Sequence, residues 1–162
     1  MQIINSRRLA ALATTGATLA ATLGAAVVAA PVASAHGSYR HCTTSASLFA
    51  ANNPDFRVAI PLGYSGSQIT ATCYLTNGDS GRGVRVLQRA LNKCYSAGLA
   101  VDGVFGDRTE AALRRAQRAT GATVDGEYGP NTLKHIGWPA YRTSTGQFVH
   151  CYKWSNIQWA LV

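Results

Sequence analysis

The sequence predicts a mainly α fold: a small three-helix domain with short β or irregular extensions at both ends, tied by disulfides. Three observations predict it. An apolar helical period begins at Val84, and a second helical pattern follows. A loop motif occurs twice, each copy leading into a helix. Four cysteines, an even number, surround these elements. The chain has 162 residues, room for one domain with extensions but not for a large two-domain enzyme. Lys+Arg is 15 and Asp+Glu is 7, a net charge of +8, yet only 14% of residues are charged. That excludes a disordered polyelectrolyte.

Residues 1–35 read as an export signal. Arg7 and Arg8 precede an uncharged run from Leu9 to Ala30, and Val32-Ala33-Ser34-Ala35 offers small residues for cleavage. The alternative is a retained membrane anchor, since the run is long enough to span. Its Ala, Thr and Gly content favours cleavage. Ser6-Arg7-Arg8 only weakly resembles a twin-arginine signal. Without Arg7 and Arg8, 13 basic side chains remain against 7 acidic ones, a charge of +6. An exported basic protein meets anionic wall or membrane surfaces more than nucleic acid.

Residues 36–79 form an N-terminal extension rich in Ser, Thr, Gly, Asn and Pro. Val58-Ala59-Ile60 and Ile69-Thr70-Ala71-Thr72 read as short strands, interrupted by Pro61 and Gly63. Val84, Leu87, Leu91 and Cys94 then mark an amphipathic helix ending near Ala97-Gly98. A second helix spans about Asp107 to Thr120 and ends at Gly121, with Asp107 and Glu110 suited to its N-terminal dipole. A short third helix starts at Pro130 and stops at Gly137.

The repeat lies between the helices. Val101 to Thr109 and Val124 to Thr132 both read V-D-G-x-(aromatic)-G-x-x-T, 23 residues apart. Asp102-Gly103 and Asp125-Gly126 are tight turns in which Gly takes positive φ. Phe105 and Tyr128 can pack inward. Thr109 and Thr132 can bond back to their turns. Each loop therefore has a complete structural role without any ligand.

These residues resemble the peptidoglycan-binding domain family of the three-helix type. Gly81-Arg82-Gly83-Val84, Leu87-Gln88 and Leu91 match its first helix. Asp102-Gly103, Phe105-Gly106 and Thr109 match its first loop, and Ala112-Leu113 and Gln117 its second helix. Asp125-Gly126, Gly129-Pro130 and Thr132 match its last segment. The resemblance covers about residues 80–137. It implies a non-catalytic bacterial module held on cell wall, with no cofactor. The family's Phe before the second-helix Gln is Ala116 here. An unfilled cavity there would cost about 3–5 kcal/mol. Trp138 or another tail aromatic is therefore expected to pack onto the helices.

Cys42, Cys73, Cys94 and Cys151 read as two disulfides, since no C-x-x-C or closely spaced His pair suggests a metal. If the chain before the first helix turns back along it, Cys73 meets Cys94, leaving Cys42 with Cys151. The other two pairings stay open. The C-terminal extension, 138–162, holds Trp138, Tyr141, Phe148, Tyr152, Trp154 and Trp159. Most are expected to complete a small core. Tyr141, Trp154 and Trp159 are the better candidates for exposure and sugar stacking. Phe148 to Tyr152 reads as a strand that pairs with 56–60 or 69–74.

Catalysis is not expected. Nothing brings two carboxylates together as a glycosidase needs, the cysteines are bonded, and no G-x-S-x-G occurs. The expected function is a secreted, wall-located protein that binds peptidoglycan or another cell-wall polymer, without nucleic acid and without membrane contact after cleavage. Asp102, Phe105, Asp125, Tyr128 and Trp154 are its candidate ligand-binding residues. The alternative is a secreted module that binds or regulates an extracellular protein such as a hydrolase.

Overall fold

A computed structural model describes residues 40–50 and 53–161, without the side chains of 158–161. The expected export signal, residues 1–35, lies outside the described residues. In chain order the elements are β1 (Arg40–His41), β2 (Thr44–Ala50), β3 (Asn53–Ser65), β4 (Gln68–Thr70), β5 (Cys73–Tyr74), α1 (Arg82–Tyr95), α2 (Asp107–Thr120), α3 (Pro130–His135), β6 (Trp138–Arg142), β7 (Phe148–Tyr152), a 3-10 turn (Trp154–Asn156) and β8 (Ile157–Leu161).

The mainly α expectation is overturned. The segments on both sides of the helices build one antiparallel sheet of order β7-β6-β3-β2-β8, with β4 paired to the far end of β3. The physical reason lies in β3. Val58, Ile60 and Leu62 alternate inward and are fully buried, so the strand period runs straight through Pro61. On one side Pro61 faces Ser45 of β2. On the other, β6 pairs with Phe56 to Val58 and β4 with Gly63 to Ser65, so Pro61 sits where no ladder needs its missing N–H. The strand from 148 to 152 pairs with β6 rather than with 56–60 or 69–74.

One core joins sheet and helices. Leu48, Val58, Ile60 and Leu62 from the sheet meet Val84, Leu87 and Leu91 from α1, together with Phe105, Leu113 and Tyr128. Gly83 lies against the Cys42 backbone so closely that a side chain there would collide with it. Trp138 is fully buried, donates its indole N–H to the Leu133 carbonyl at 3.0 Å, and meets Tyr128 edge-on. It shares this core with Ala116, so the tail packs inward. The helix positions follow the apolar period, although α1 ends at Tyr95, with left-handed Ser96 ahead of Gly98.

The disulfides are Cys42–Cys73 and Cys94–Cys151, not the pairing the sequence favoured. Residues 75–80 do not run back along α1. Leu75 bridges to Tyr128 and Ser80 to Val104, so the chain crosses both repeat loops before α1 begins. That leaves Cys73 beside β1, paired in parallel with β5, while the end of α1 brings Cys94 to β7.

Candidate functional site

Each repeat loop is clasped by one glutamine. Gln88 of α1 donates through Nε2 to the Asp102 carboxylate at 2.8 Å and the Val104 carbonyl at 3.0 Å, and its oxygen accepts from Gly103 N–H at 2.9 Å. Gln117 of α2 donates to the Asp125 carboxylate at 2.7 Å, the Glu127 carbonyl at 2.9 Å and the Thr132 hydroxyl at 3.0 Å, and accepts from Gly126 N–H at 2.9 Å. Both amides are buried, so these bonds satisfy groups that would otherwise be costly to bury. Asp102 also accepts from Val104 N–H, and Asp125 from Glu127 N–H, each at 2.9 Å. The Val104 N–H and then Gln88 hold the Asp102 carboxyl below the ordinary carboxylate range.

An arginine one turn before each glutamine covers the turn. Arg85 Nε reaches the Asp102 carbonyl at 3.3 Å. Arg114 reaches the Val124 carbonyl at 3.2 Å while pairing with Glu110 at 2.8 Å. Gly103 and Gly126 have φ near +80° and +75°, and a Cβ on either would meet the covering arginine.

The predicted ligand residues divide. Phe105 and Tyr128 are wholly buried, so neither can touch a ligand; they are the inward anchors of the loops. Burial alone pushes the Tyr128 phenol far above its usual range. Asp102 and Asp125 are exposed at the turns but committed to their clasps. Trp154 is half-buried and lines a different groove, of about 390 Å³, with Thr70, Thr72, Pro130 and Lys134. The structure thus does not bring the five together. Sequence reasoning assigned no role to Gln88, Gln117, Arg85 and Arg114. Their shared R-x-x-Q spacing ahead of each D-G was the available signal.

Beside the first loop lies an open groove of about 310 Å³, whose described lining residues all fall between Gln88 and Thr109. Leu99 and Val104 give it apolar walls, and Val104 is 53% exposed. Asp102, Asp107 and Arg108 supply both signs of charge at its rim. Asp107 and Glu110 are steadied by Asn77, at 2.7 and 3.1 Å. Among the described residues no cluster of three or more His, Cys, Asp or Glu side chains could hold a metal ion.

Residues 80–136 match the family described as "Putative peptidoglycan binding domain". An uncharacterised protein from the bpoA1 3′ region of Kitasatospora aureofaciens is 36% identical over 104 residues, spanning 64% of this chain and 82% of that protein. A zinc D-Ala-D-Ala carboxypeptidase of Streptomyces albus G is 44% identical over 64 residues, 38% of this chain but only 25% of the enzyme. A crystal structure of a peptidoglycan-binding protein from Clostridioides difficile, in complex with glutamine hydroxamate, aligns with a TM-score of 0.37 and 23% identity over 47% of this chain and 55% of that one.

Proposed function

We propose, from the premise that this chain belongs to the peptidoglycan-binding domain family through residues 80–136, that it is an exported, non-catalytic protein that holds cell-wall polymer in the groove beside its first repeat loop. The observation that carries the reading is the coincidence of that groove with the family-matched segment. The glutamine clasps support it, because a rigid wall of the groove loses little entropy on binding.

Among the described residues the groove has no aromatic lining, so they offer no stacking face for a sugar. Apolar walls with Asp102, Asp107 and Arg108 suit the amide, ammonium and carboxylate groups of the wall's stem peptide. This chain spans only 25% of the matched carboxypeptidase, so that protein's activity is not carried over.

The test is retention of the oxidised chain, from residue 36 onward, on insoluble peptidoglycan stripped of teichoic acids, at low and high salt. The +6 charge alone would bind only at low salt, because salt screens exposed charges beyond about 8–10 Å. Retention at both salts, weakened by Arg108→Ala with the fold intact, supports the groove. Absence of retention at both salts sinks the wall reading and favours the alternative, a protein partner such as an extracellular hydrolase.

A further inference from the structure

We propose a second ligand site, on the sheet instead of the repeat loops: the cleft between α1 and strands β3 and β6 takes a saccharide unit that carries a carboxylate. The wall-binding reading supplies the class of polymer, and the cleft shares no described lining residue with the first groove. It has about 330 Å³ and is lined by Ala59, Val86, Arg89, Pro139 and Tyr141. That volume falls in the range of small-molecule sites.

The strand pairing builds the floor. Phe49, Arg57, Tyr141 and Phe148 are successive register partners across β2, β3, β6 and β7, so their side chains share one face of the sheet. At about 4.8 Å between strands, the row is about 14 Å long. The Tyr141 and Phe148 rings meet edge-on, with centres 6.0 Å apart. Ala59 and Pro139 adjoin the row on β3 and β6. The other wall is α1. Val86, Arg89 and Lys93 recur at i, i+3 and i+7, on one side of the helix. Val86 and Arg89 line the cleft, and Lys93 Nζ lies 5.7 Å from the centre of the Phe148 ring.

The two walls are fixed to each other. The Cys94–Cys151 disulfide ties the end of α1 to β7, and Gly137 N–H, just before β6, donates to the Tyr95 hydroxyl at 2.6 Å. Gly137 also keeps the approach close, since a Cβ there would lie 3.2 Å from Cys151 Cβ. A cleft held open in this way loses little entropy on binding.

The charge of the cleft is one-sided. Helix α1 holds Arg82, Arg85, Arg89 and Lys93 and no acid, β2, β6 and β7 hold none, and β3 holds only Asp55. Among the described residues no carboxylate lies within ion-pair distance of Arg57, Arg89 or Lys93. Arg89 and Lys93 are four apart on the helix and repel each other, so helix stability does not call for them. Arg57 lies over the Phe49 ring at 5.2 Å, and its buried Nε has no acceptor among the described residues. Burial raises the Tyr141 phenol above its ordinary value, and the nearby Arg89 charge offsets part of this. A bare anion would answer Arg89 but leave the apolar floor uncovered, and a neutral sugar would do the reverse. A sugar ring laid on Pro139 and Tyr141, with its carboxylate on the Arg89 guanidinium, does both, because that planar fork binds a carboxylate through two N–H groups. The described residues of the first groove offer no such stacking face.

The test is an NMR titration of the oxidised chain, at physiological salt, with N-acetylmuramic acid, uncharged N-acetylglucosamine and acetate. Saturable shifts at Ala59, Arg89 and Tyr141 are expected for N-acetylmuramic acid, with a Kd on the order of millimolar. The uncharged sugar should bind about five-fold more weakly, and acetate should not saturate. Arg89→Gln, at an exposed helix position, keeps the fold and should erase the preference for the charged sugar. Tyr141→Leu should weaken both sugars about five-fold. Absence of saturation at these residues, equal affinity for the two sugars, an intact preference in Arg89→Gln, or acetate matching the charged sugar overturns the site. Shifts confined to Val104, Asp107 and Arg108 would overturn it while leaving the first groove standing. Saturation at the cleft in a chain that peptidoglycan does not retain would uphold the site and sink the first groove.

Discussion

Replacing Tyr128 by Phe should stabilise the protein. The Tyr128 hydroxyl is fully buried and has no hydrogen-bond partner among the described residues. A buried hydroxyl left unpaired costs about 1–3 kcal/mol. Removing one oxygen leaves a small void, worth a few tenths of a kcal/mol at about 24 cal/mol per Å³. The edge-on contact with Trp138, ring centres 5.9 Å apart at 84°, needs only the ring and survives the change. The net gain is about 1–2 kcal/mol, or roughly 3–6 °C in Tm for a domain near this size. The first repeat already carries Phe105 at this position. Urea unfolding of both forms, with unchanged m, measures the difference. A loss of 1 kcal/mol or more in Tyr128→Phe would refute the reasoning, because it would show that an ordered water or another group satisfies the hydroxyl.

Gln117→Leu should cost about 1–3 kcal/mol, since it leaves the buried Gly126 N–H without its acceptor, while the Thr132 hydroxyl still donates to the Glu127 carbonyl at 3.0 Å; chemical denaturation checks it. Opening Cys94–Cys151 by Cys94→Ser with Cys151→Ser should cost about 4 kcal/mol for a closed loop with a separation of 57 residues, read as a fall in Tm, and non-reducing peptide mapping should find this bond and Cys42–Cys73. Arg114, and after it Asn77, hold the Glu110 carboxyl below its ordinary range. A folded-state value below the unfolded one gives stability that is complete above the ordinary carboxylate range and is lost as pH falls through the folded value. The exposed geometry limits this to a few tenths of a kcal/mol, so Arg114→Gln should slightly flatten the acid limb of a Tm-against-pH curve.

The helices were legible because their signal is local. Val84, Leu87 and Leu91 repeat within one element, and Pro130 and Gly121 mark its neighbours' ends. The sheet was not legible, because its strands come from the two ends of the chain and its best strand contains Pro61 and Gly63. Val58, Ile60 and Leu62 did show the period of two, but a proline inside a strand is tolerated only where one side lacks a partner, and that depends on where β6 and β4 dock. The disulfide pairing failed for a related reason. The path of residues 75–80 is set by bridges to Val104 and Tyr128, contacts that no local pattern displays. At the site, the loop's structural role was readable from Asp, Gly and Thr, whereas Gln88 and Gln117 each reach their loop from a helix 14 and 8 residues earlier.

Comparison of the two loops separates scaffold from surface. The shared Gly103/Gly126, Phe105/Tyr128 and Thr109/Thr132 are buried, and the shared Asp102/Asp125 close the clasps. The loops differ at Val104 against Glu127 and at Asp107-Arg108 against Pro130-Asn131. Val104, Asp107 and Arg108 are exposed, and all three line the first groove. Two copies that keep the inward residues and change these outward ones are one scaffold carrying two different faces. The consequence can be measured. Val104→Glu installs the residue the second loop uses at that position, so the clasp through Gln88 stays intact and stability should change by less than about 0.5 kcal/mol. It also places a carboxylate in the apolar wall of the groove, close to Asp102 and Asp107, and peptidoglycan retention should fall at least ten-fold. Unchanged retention in a folded Val104→Glu protein would show that the polymer is held elsewhere on the chain.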